Sequence, residues 1–113
     1  MDFRNDPVEQ RLIIIIKSKT HDDCRDCSKN FKAFLSAWEY GIKDLTESKS
    51  ARKGPVLRRD ICFSFIDHPS TVIAFREALR QLCFRYNLLL ESTSVEFLDN
   101  GASPAGSVIS FLD

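Results

Sequence analysis

The stretch that decides the fold of this chain reads Leu12-Ile-Ile-Ile-Ile-Lys-Ser-Lys-Thr-His21-Asp-Asp-Cys24-Arg-Asp-Cys27. Residues 12–16 form a continuous apolar run rich in β-branched side chains, which is typical of a central strand buried on both faces. A helix is predicted next, because Asp22 or Asp23 is a suitable N-cap and apolar residues then recur at steps of three and four. The stretch therefore predicts a strand-to-helix junction that carries two thiols and an imidazole.

The remaining elements follow from the same kinds of pattern. The first helix extends past residue 40, and residues 48–55 then lose its period and collect Ser, Lys, Arg, Gly and Pro, so we assign 48–57 to a flexible basic loop and 1–10 to an N-terminal arm. The alternation of Ile61, Phe63 and Phe65 predicts a second strand. The apolar stripe of the first helix comprises Cys27, Phe31, Phe34, Leu35, Trp38, Ile42 and Leu45.

A second helix is expected from about Pro69 to Asn87, and residues 93–98 and 107–112 have the composition of two strands joined by a turn. The expected fold class is α/β. It is a single domain of residues 1–113 with a mixed four-stranded sheet in the order β-α-β-α-β-β, in which the first three strands are parallel and the helices pack on the sheet. The core stripe of the second helix comprises Val72, Phe75, Leu79, Leu82, Cys83 and Tyr86.

Composition and charge narrow the classes of function. The chain has 113 residues, 43% hydrophobic and 28% charged, which fits a folded globular protein. Lys plus Arg and Asp plus Glu balance at 16 each, so the overall charge predicts no polyanionic partner. The sequence shows neither a signal peptide nor the roughly 18 consecutive apolar residues of a membrane span, and its four cysteines are expected to be reduced. We therefore expect a cytoplasmic protein that does not bind membranes.

The element order, with Cys24 and Cys27 opening the first helix, resembles the minimal thioredoxin and glutaredoxin architecture. The resemblance implies a redox site in which the helix N-terminus stabilises a thiolate at Cys24 and Cys27 resolves a mixed disulfide. The chain departs from the family where Ser92-Thr-Ser94 stands in place of the active-site Pro. Arg25 and Asp26 replace the aromatic or Pro residues usual between the cysteines.

The positions of the cysteines in the sequence favour a structural role. Cys27 lies on the apolar stripe of the first helix, and small buried cysteines are common in protein cores. The aspartates beside the two thiols oppose a thiolate electrostatically. We expect no cofactor, and thiol-redox function at Cys24 and Cys27 stays open as an alternative.

The same junction permits a metal site. His21, Cys24 and Cys27 are spaced three apart, and His68 is expected at the end of a neighbouring parallel strand, at the same edge of the sheet. Four such ligands suit tetrahedral zinc. A single Cys-x-x-Cys pair lacks the second closely spaced pair of structural zinc sites, so zinc is also kept as an alternative.

Basic residues crowd the connection into the second strand. Lys49, Arg52, Lys53, Arg58 and Arg59 could contact phosphate, RNA or an acidic protein surface. They have no interleaved aromatic residues to stack on bases and no glycine spacing that cradles phosphate, so nucleic-acid or anionic-ligand binding is a second alternative. The chain has no G-x-S-x-G or H-E-x-x-H motif, and we assign no catalytic residue.

The outward side of the second helix predicts a contact surface. Ile73 and Phe84 are eleven residues apart, close to three helical turns, and Glu77 and Arg80 lie between them. We predict that these four side chains bind a partner, helped by the basic loop 52–59. The function expected from the sequence is a non-catalytic, cytoplasmic protein-interaction or regulatory module, with homodimerisation among its options.

Overall fold

The structure, a computed structural model, describes residues 6–89 and 92–99. The α/β class is confirmed, and the predicted strand at 107–112 lies outside the described residues. The elements in chain order are β1 (Val8–Ser18), α1 (His21–Ser36), β2 (Ile42–Glu47), β3 (Ala51–Lys53), β4 (Val56–Asp67), α2 (Pro69–Leu89) and β5 (Thr93–Asp99).

These strands form one antiparallel sheet. β1 lies between β4 and β5, and the order across the sheet is β2-β4-β1-β5, with β3 also paired to β4. β1 and β2 are parallel but separated by β4, and β4 and β5 are parallel but separated by β1. The result is two interleaved β-α-β units, a split β-α-β arrangement.

The predicted four-stranded order and parallel pairing were therefore wrong. Each helix does connect two parallel strands, as expected for a β-α-β unit. An antiparallel strand from the other unit is inserted between the two, so five described strands take the order β-α-β-β-β-α-β. No local pattern in either unit indicates this insertion, because it depends on pairing between distant segments.

The first helix is shorter than its apolar period predicts. Its N-cap is Thr20 rather than Asp22 or Asp23, and the Thr20 hydroxyl accepts from the backbone N–H of Asp23 at 3.1 Å. The helix ends at Ser36, and β2 follows after a turn. Gly41 forms that turn because a Cβ at this position would overlap the ring of Phe65.

The segment 48–57 is a hairpin rather than a flexible loop. β3 pairs with Val56, Leu57 and Arg58 at the start of β4, and Gly54 adopts a φ of 63° in the turn between them. β4 consequently begins well before the predicted start at Ile61. At the other end of the chain, residues 8–10 of the predicted N-terminal arm belong to β1.

The helices share one face of the sheet. Alternate residues of β1 point to opposite faces, and Ile14 belongs to the core that α1 and α2 cover. Ile15 points to the other face, where its cross-strand neighbours are Asp60 and Glu96. The fully buried side chains of the helix-side core are Leu12, Ile14, Ile16, Cys24, Phe31, Leu35, Leu57, Ile61, Phe63, Phe65, Phe75 and Leu79.

Candidate functional site

Helix α2 is fixed to the sheet by an aromatic cluster on its inner side. Phe75 is fully buried, and its ring stacks on that of Phe65 with centroids 4.2 Å apart. Trp38 and Phe63 meet the same ring edge-on at 5.3 and 5.9 Å. The remaining inward side chains, Val72, Leu79 and Cys83, are buried as the sequence pattern predicts. The opposite side of the helix is therefore free to face outward.

Polar contacts fix the flank of α2 that faces β5. The Arg76 guanidinium donates through Nη1 to Gln10 Oε1 at 2.7 Å and to Asp99 Oδ1 at 2.6 Å, so it joins α2 to β1 and β5. Asn87, three turns further along, bonds both backbone groups of Val95. These contacts attach the middle and the C-terminal part of the helix to the sheet, so they fix the direction in which its outer face points.

The outer face of α2 exposes apolar side chains. Ile73 is 68% exposed and Phe84 is 59% exposed, in the positions that helical phase predicts. Leu88, four residues beyond Phe84, continues the same stripe and is 70% exposed. The sequence prediction missed Leu88, although its four-residue step from Phe84 was the signal that could have found it. We call Ile73, Glu77, Arg80, Phe84 and Leu88 the α2 stripe.

Two opposite charges occupy the middle of the α2 stripe. Arg80 Nη1 lies 2.6 Å from Glu77 Oε2, and the Gln81 amide donates to Glu77 Oε1 at 3.0 Å. The hydrogen bond from Gln81 and the charge of Arg80 hold the pKa of Glu77 below its usual value. Both charged side chains are more than half exposed, so this pair contributes little to stability. The pair nevertheless presents one negative and one positive side chain to a partner.

A shallow groove runs beside the stripe. It has a volume of about 270 Å³ and lies between α2 and β5, with Arg80, Phe84, Asn87 and Phe97 among its lining residues. Phe97 is half-buried, and its ring lies 6.0 Å from the guanidinium carbon of Arg76. The groove extends the apolar surface of the stripe toward the edge of the sheet.

The predicted basic residues do not form one surface. Arg58 and Arg59 are consecutive residues of β4, so their side chains point to opposite faces of the sheet. Arg58 pairs with Asp60 at 2.9 Å, whereas Arg59 contacts Glu47 on the helix side. Arg52 contacts the carbonyl of Pro55 at 3.5 Å within the hairpin, and Lys53 ends β3. Arg58 and Arg59, which are adjacent in the sequence, thus belong to different surfaces.

The thiols of Cys24 and Cys27 are buried on the inner side of α1. Cys24 is fully buried, and its Sγ lies 3.7 Å from the carbonyl oxygen of Leu57. Burial raises the pKa of the Cys24 thiol and raises the pKa of Cys27 to about 12. A nucleophilic cysteine needs the opposite shift and access to solvent. The geometry of these two side chains is that of core residues.

The four candidate zinc ligands are not brought together. β1 and β4 are antiparallel, so His21, just beyond the end of β1, and His68, just beyond the end of β4, lie at opposite ends of the sheet. An eleven-residue strand separates them by roughly 30 Å. The expectation that both histidines share one edge was wrong because it assumed parallel strands. Within residues 6–89 and 92–99, no three His, Cys, Asp or Glu side chains are grouped as a metal site would require.

One polar cluster was not predicted at all. The Glu47 carboxylate accepts from Ser28 Oγ and, at 2.7 Å, from Lys32 Nζ, and it lies 2.7 Å from Arg59 Nε in an ion pair that is not aligned as a hydrogen bond. Burial alone would raise the pKa of Glu47, but the hydrogen bonds from Lys32 and Ser28 and the charge of Arg59 outweigh it and lower that pKa. The cluster joins α1, β2 and β4. Because the Glu47 carboxylate is already occupied by these three side chains, we interpret the cluster as structural.

Comparison of the chain with protein-family models, with curated proteins and with solved structures finds no match. In the part of the chain that the structure describes, neither helix is both long enough and apolar enough to cross a membrane.

Proposed function

We propose that the protein is a non-catalytic protein-interaction or regulatory module that binds its partner through the α2 stripe. The observation that carries this proposal is the exposure of Ile73, Phe84 and Leu88, three large apolar side chains on one face of one rigid helix. Scattered exposed apolar residues are normal on protein surfaces. Three on one helical stripe, around an ion pair, form a contiguous patch of the kind found at interaction sites.

Features of the rest of the molecule support a binding role over a chemical one. The thiols of Cys24 and Cys27 are buried, with raised pKa values. Arg58 and Arg59 of the β3–β4 hairpin are paired with Asp60 and Glu47, respectively. A cytoplasmic location is part of the proposal, because the four cysteines are free thiols, which a reducing compartment preserves.

The experiment that tests this proposal compares association before and after removal of the apolar side chains. Sedimentation velocity and light scattering of the purified protein over a concentration series would be recorded for wild type and for the double variant Ile73→Ser, Phe84→Ser. Because both side chains are exposed, the variant is expected to keep the wild-type melting temperature. It is expected to lose the association that the purified wild-type protein shows as its concentration rises.

The matched control is Tyr40→Ser, which removes an aromatic side chain that is 93% exposed and lies outside α2. This variant is expected to associate like wild type. A large fall in melting temperature for the Ile73 and Phe84 variant, with association unchanged, would show that these residues support folding and would overturn the proposal.

A further inference from the structure

We propose that the partner of the α2 stripe is the α2 stripe of a second copy of this chain, packed antiparallel about a two-fold axis that crosses the helix between Ala78 and Leu79. This inference rests on the proposed function, because it assumes that the stripe is a binding surface, and it adds the identity and orientation of the partner. Symmetric dimers of this kind use one self-complementary patch twice.

The α2 stripe is narrow and runs along the helix. Ile73, Glu77, Arg80 and Phe84 are separated by steps of four, three and four residues. At 100° per residue these steps keep the four side chains within about 60° of helix circumference. A second straight helix can therefore contact all four at once along its own stripe.

The order of residues along the stripe is suited to pairing about a two-fold axis. In an antiparallel pair, positions equally far from the axis on either side face each other. With the axis between Ala78 and Leu79, Ile73 of one copy faces Phe84 of the other. Glu77 then faces Arg80, and the same contacts occur twice.

The facing positions are complementary. Apolar residues face apolar residues, and the carboxylate of Glu77 faces the guanidinium of Arg80. Complementarity at both pairs of positions is what an isologous interface requires.

Charge then selects the orientation. A parallel pair in register would set Glu77 against Glu77 and Arg80 against Arg80, and these like charges would repel each other. In the antiparallel pair, each Glu77 lies between its own Arg80, at 2.6 Å, and the Arg80 of the second copy. The internal ion pair becomes a four-charge network without rearrangement of either helix.

The expected dimer is weak. A single pair of helices buries less than the roughly 1,000 Å² of a stable interface, so association should depend on concentration. Leu88 lies outside the four-residue match, and the groove beside Phe97 begins at Arg80 and Phe84. Both extend the area available for contact.

The test uses charge reversal with complementation. Glu77→Arg places Arg against Arg across the interface, and Arg80→Glu places Glu against Glu, so each variant alone is expected to associate at least about tenfold more weakly than wild type. An equimolar mixture of the two variants restores opposite charges at both contacts. The mixture is expected to return to within about twofold of wild-type association. The measurement is sedimentation velocity at matched total concentration.

The controls separate this inference from the proposed function. Lys29→Glu, which reverses an exposed charge on α1, should leave association unchanged, and thermal melts should show that every variant is folded. If wild type remains monomeric, the antiparallel self-pairing is wrong. The proposed function fails separately, if replacement of Ile73 and Phe84 lowers the melting temperature and leaves association unchanged. If association depends on Ile73 and Phe84 but the mixture does not restore it, the stripe is a binding surface and the antiparallel self-pairing is wrong.

Discussion

The side-chain amide of Asn87 in α2 makes two hydrogen bonds to the backbone of Val95 in β5. Asn87 Nδ2 donates to the Val95 carbonyl at 2.9 Å, and Asn87 Oδ1 accepts from the Val95 N–H at 2.7 Å. The N–H and C=O of one strand residue point to the same side, and β1 lies on the other side of β5. Among the described strands, β5 is therefore at the edge of the sheet, and Asn87 occupies the backbone groups of Val95 that another strand would pair with.

Asn87→Ala is expected to destabilise the protein by about 1–2 kcal/mol, because the amide and carbonyl of Val95 lose their partners in a partly buried position. Hydrogen exchange at the Val95 amide should accelerate at the same time. Arg85→Ala, which truncates an exposed side chain on the same helix, is the control and should change neither quantity. Unchanged protection of Val95 in the Asn87 variant would mean that the side-chain amide does not close this edge.

The sequence predicts α2 better than it predicts the sheet around it. Pro69 at the first helical position and the regular inward stripe from Val72 onward specify this helix locally, so the outward placement of Ile73 and Phe84 follows from phase alone. Leu88 lies four residues after Phe84, so the same helical phase predicts its outward placement if the helix extends that far.

The strand β2 was not predicted because its apolar residues have the spacing of a helix. Ile42 and Leu45 stand at steps of four and three from Trp38, so they continue the apolar period of α1. The turn is set by the contact between Gly41 and Phe65, which are far apart in sequence. The insertion of β4 beside β1 is also non-local, and it is why the two histidines proposed as zinc ligands lie at opposite ends of the sheet.

The two faces of β1 can be tested with neighbouring substitutions. Ile14 is fully buried against the helices, and Ile14→Asp should unfold the domain, because an unpaired buried carboxylate costs several kcal/mol against a total stability of about 5–15 kcal/mol. Ile13 is half-buried on the opposite face, and Ile13→Asp should leave a folded protein. Thermal melts followed by circular dichroism compare the stability of the two variants with that of wild type. A cooperative melt for the Ile14 variant near that of wild type would contradict the assignment of the core face.

Glu47 should make stability depend on pH in the acid range. Its pKa is lowered in the folded protein, so its contribution is complete above the unfolded pKa of about 4.3 and is lost as the pH falls through the folded value. Glu47→Gln should cost about 1–3 kcal/mol at pH 7, and the gap between variant and wild type should narrow below pH of about 4. Urea denaturation from pH 3 to pH 7 measures this difference in unfolding free energy. Glu39→Gln, at an exposed position, is the control. A gap that does not change with pH would show that the charge of Glu47 is not what stabilises the cluster.

The cysteines should react in the order of their exposure. Cys62 is half-buried, whereas Cys24, Cys27 and Cys83 are buried, and burial raises the pKa of both Cys27 and Cys83 to about 12. A thiol reagent at pH 8 is therefore expected to modify Cys62 first and to reach the other three only as the protein unfolds. Cys62→Ser should remove the early phase, and Cys24→Ser should leave it intact. An early phase that disappears in the Cys24 variant instead would identify a reactive thiol at the start of α1, and the redox interpretation of the Cys24 and Cys27 pair would then replace the structural one.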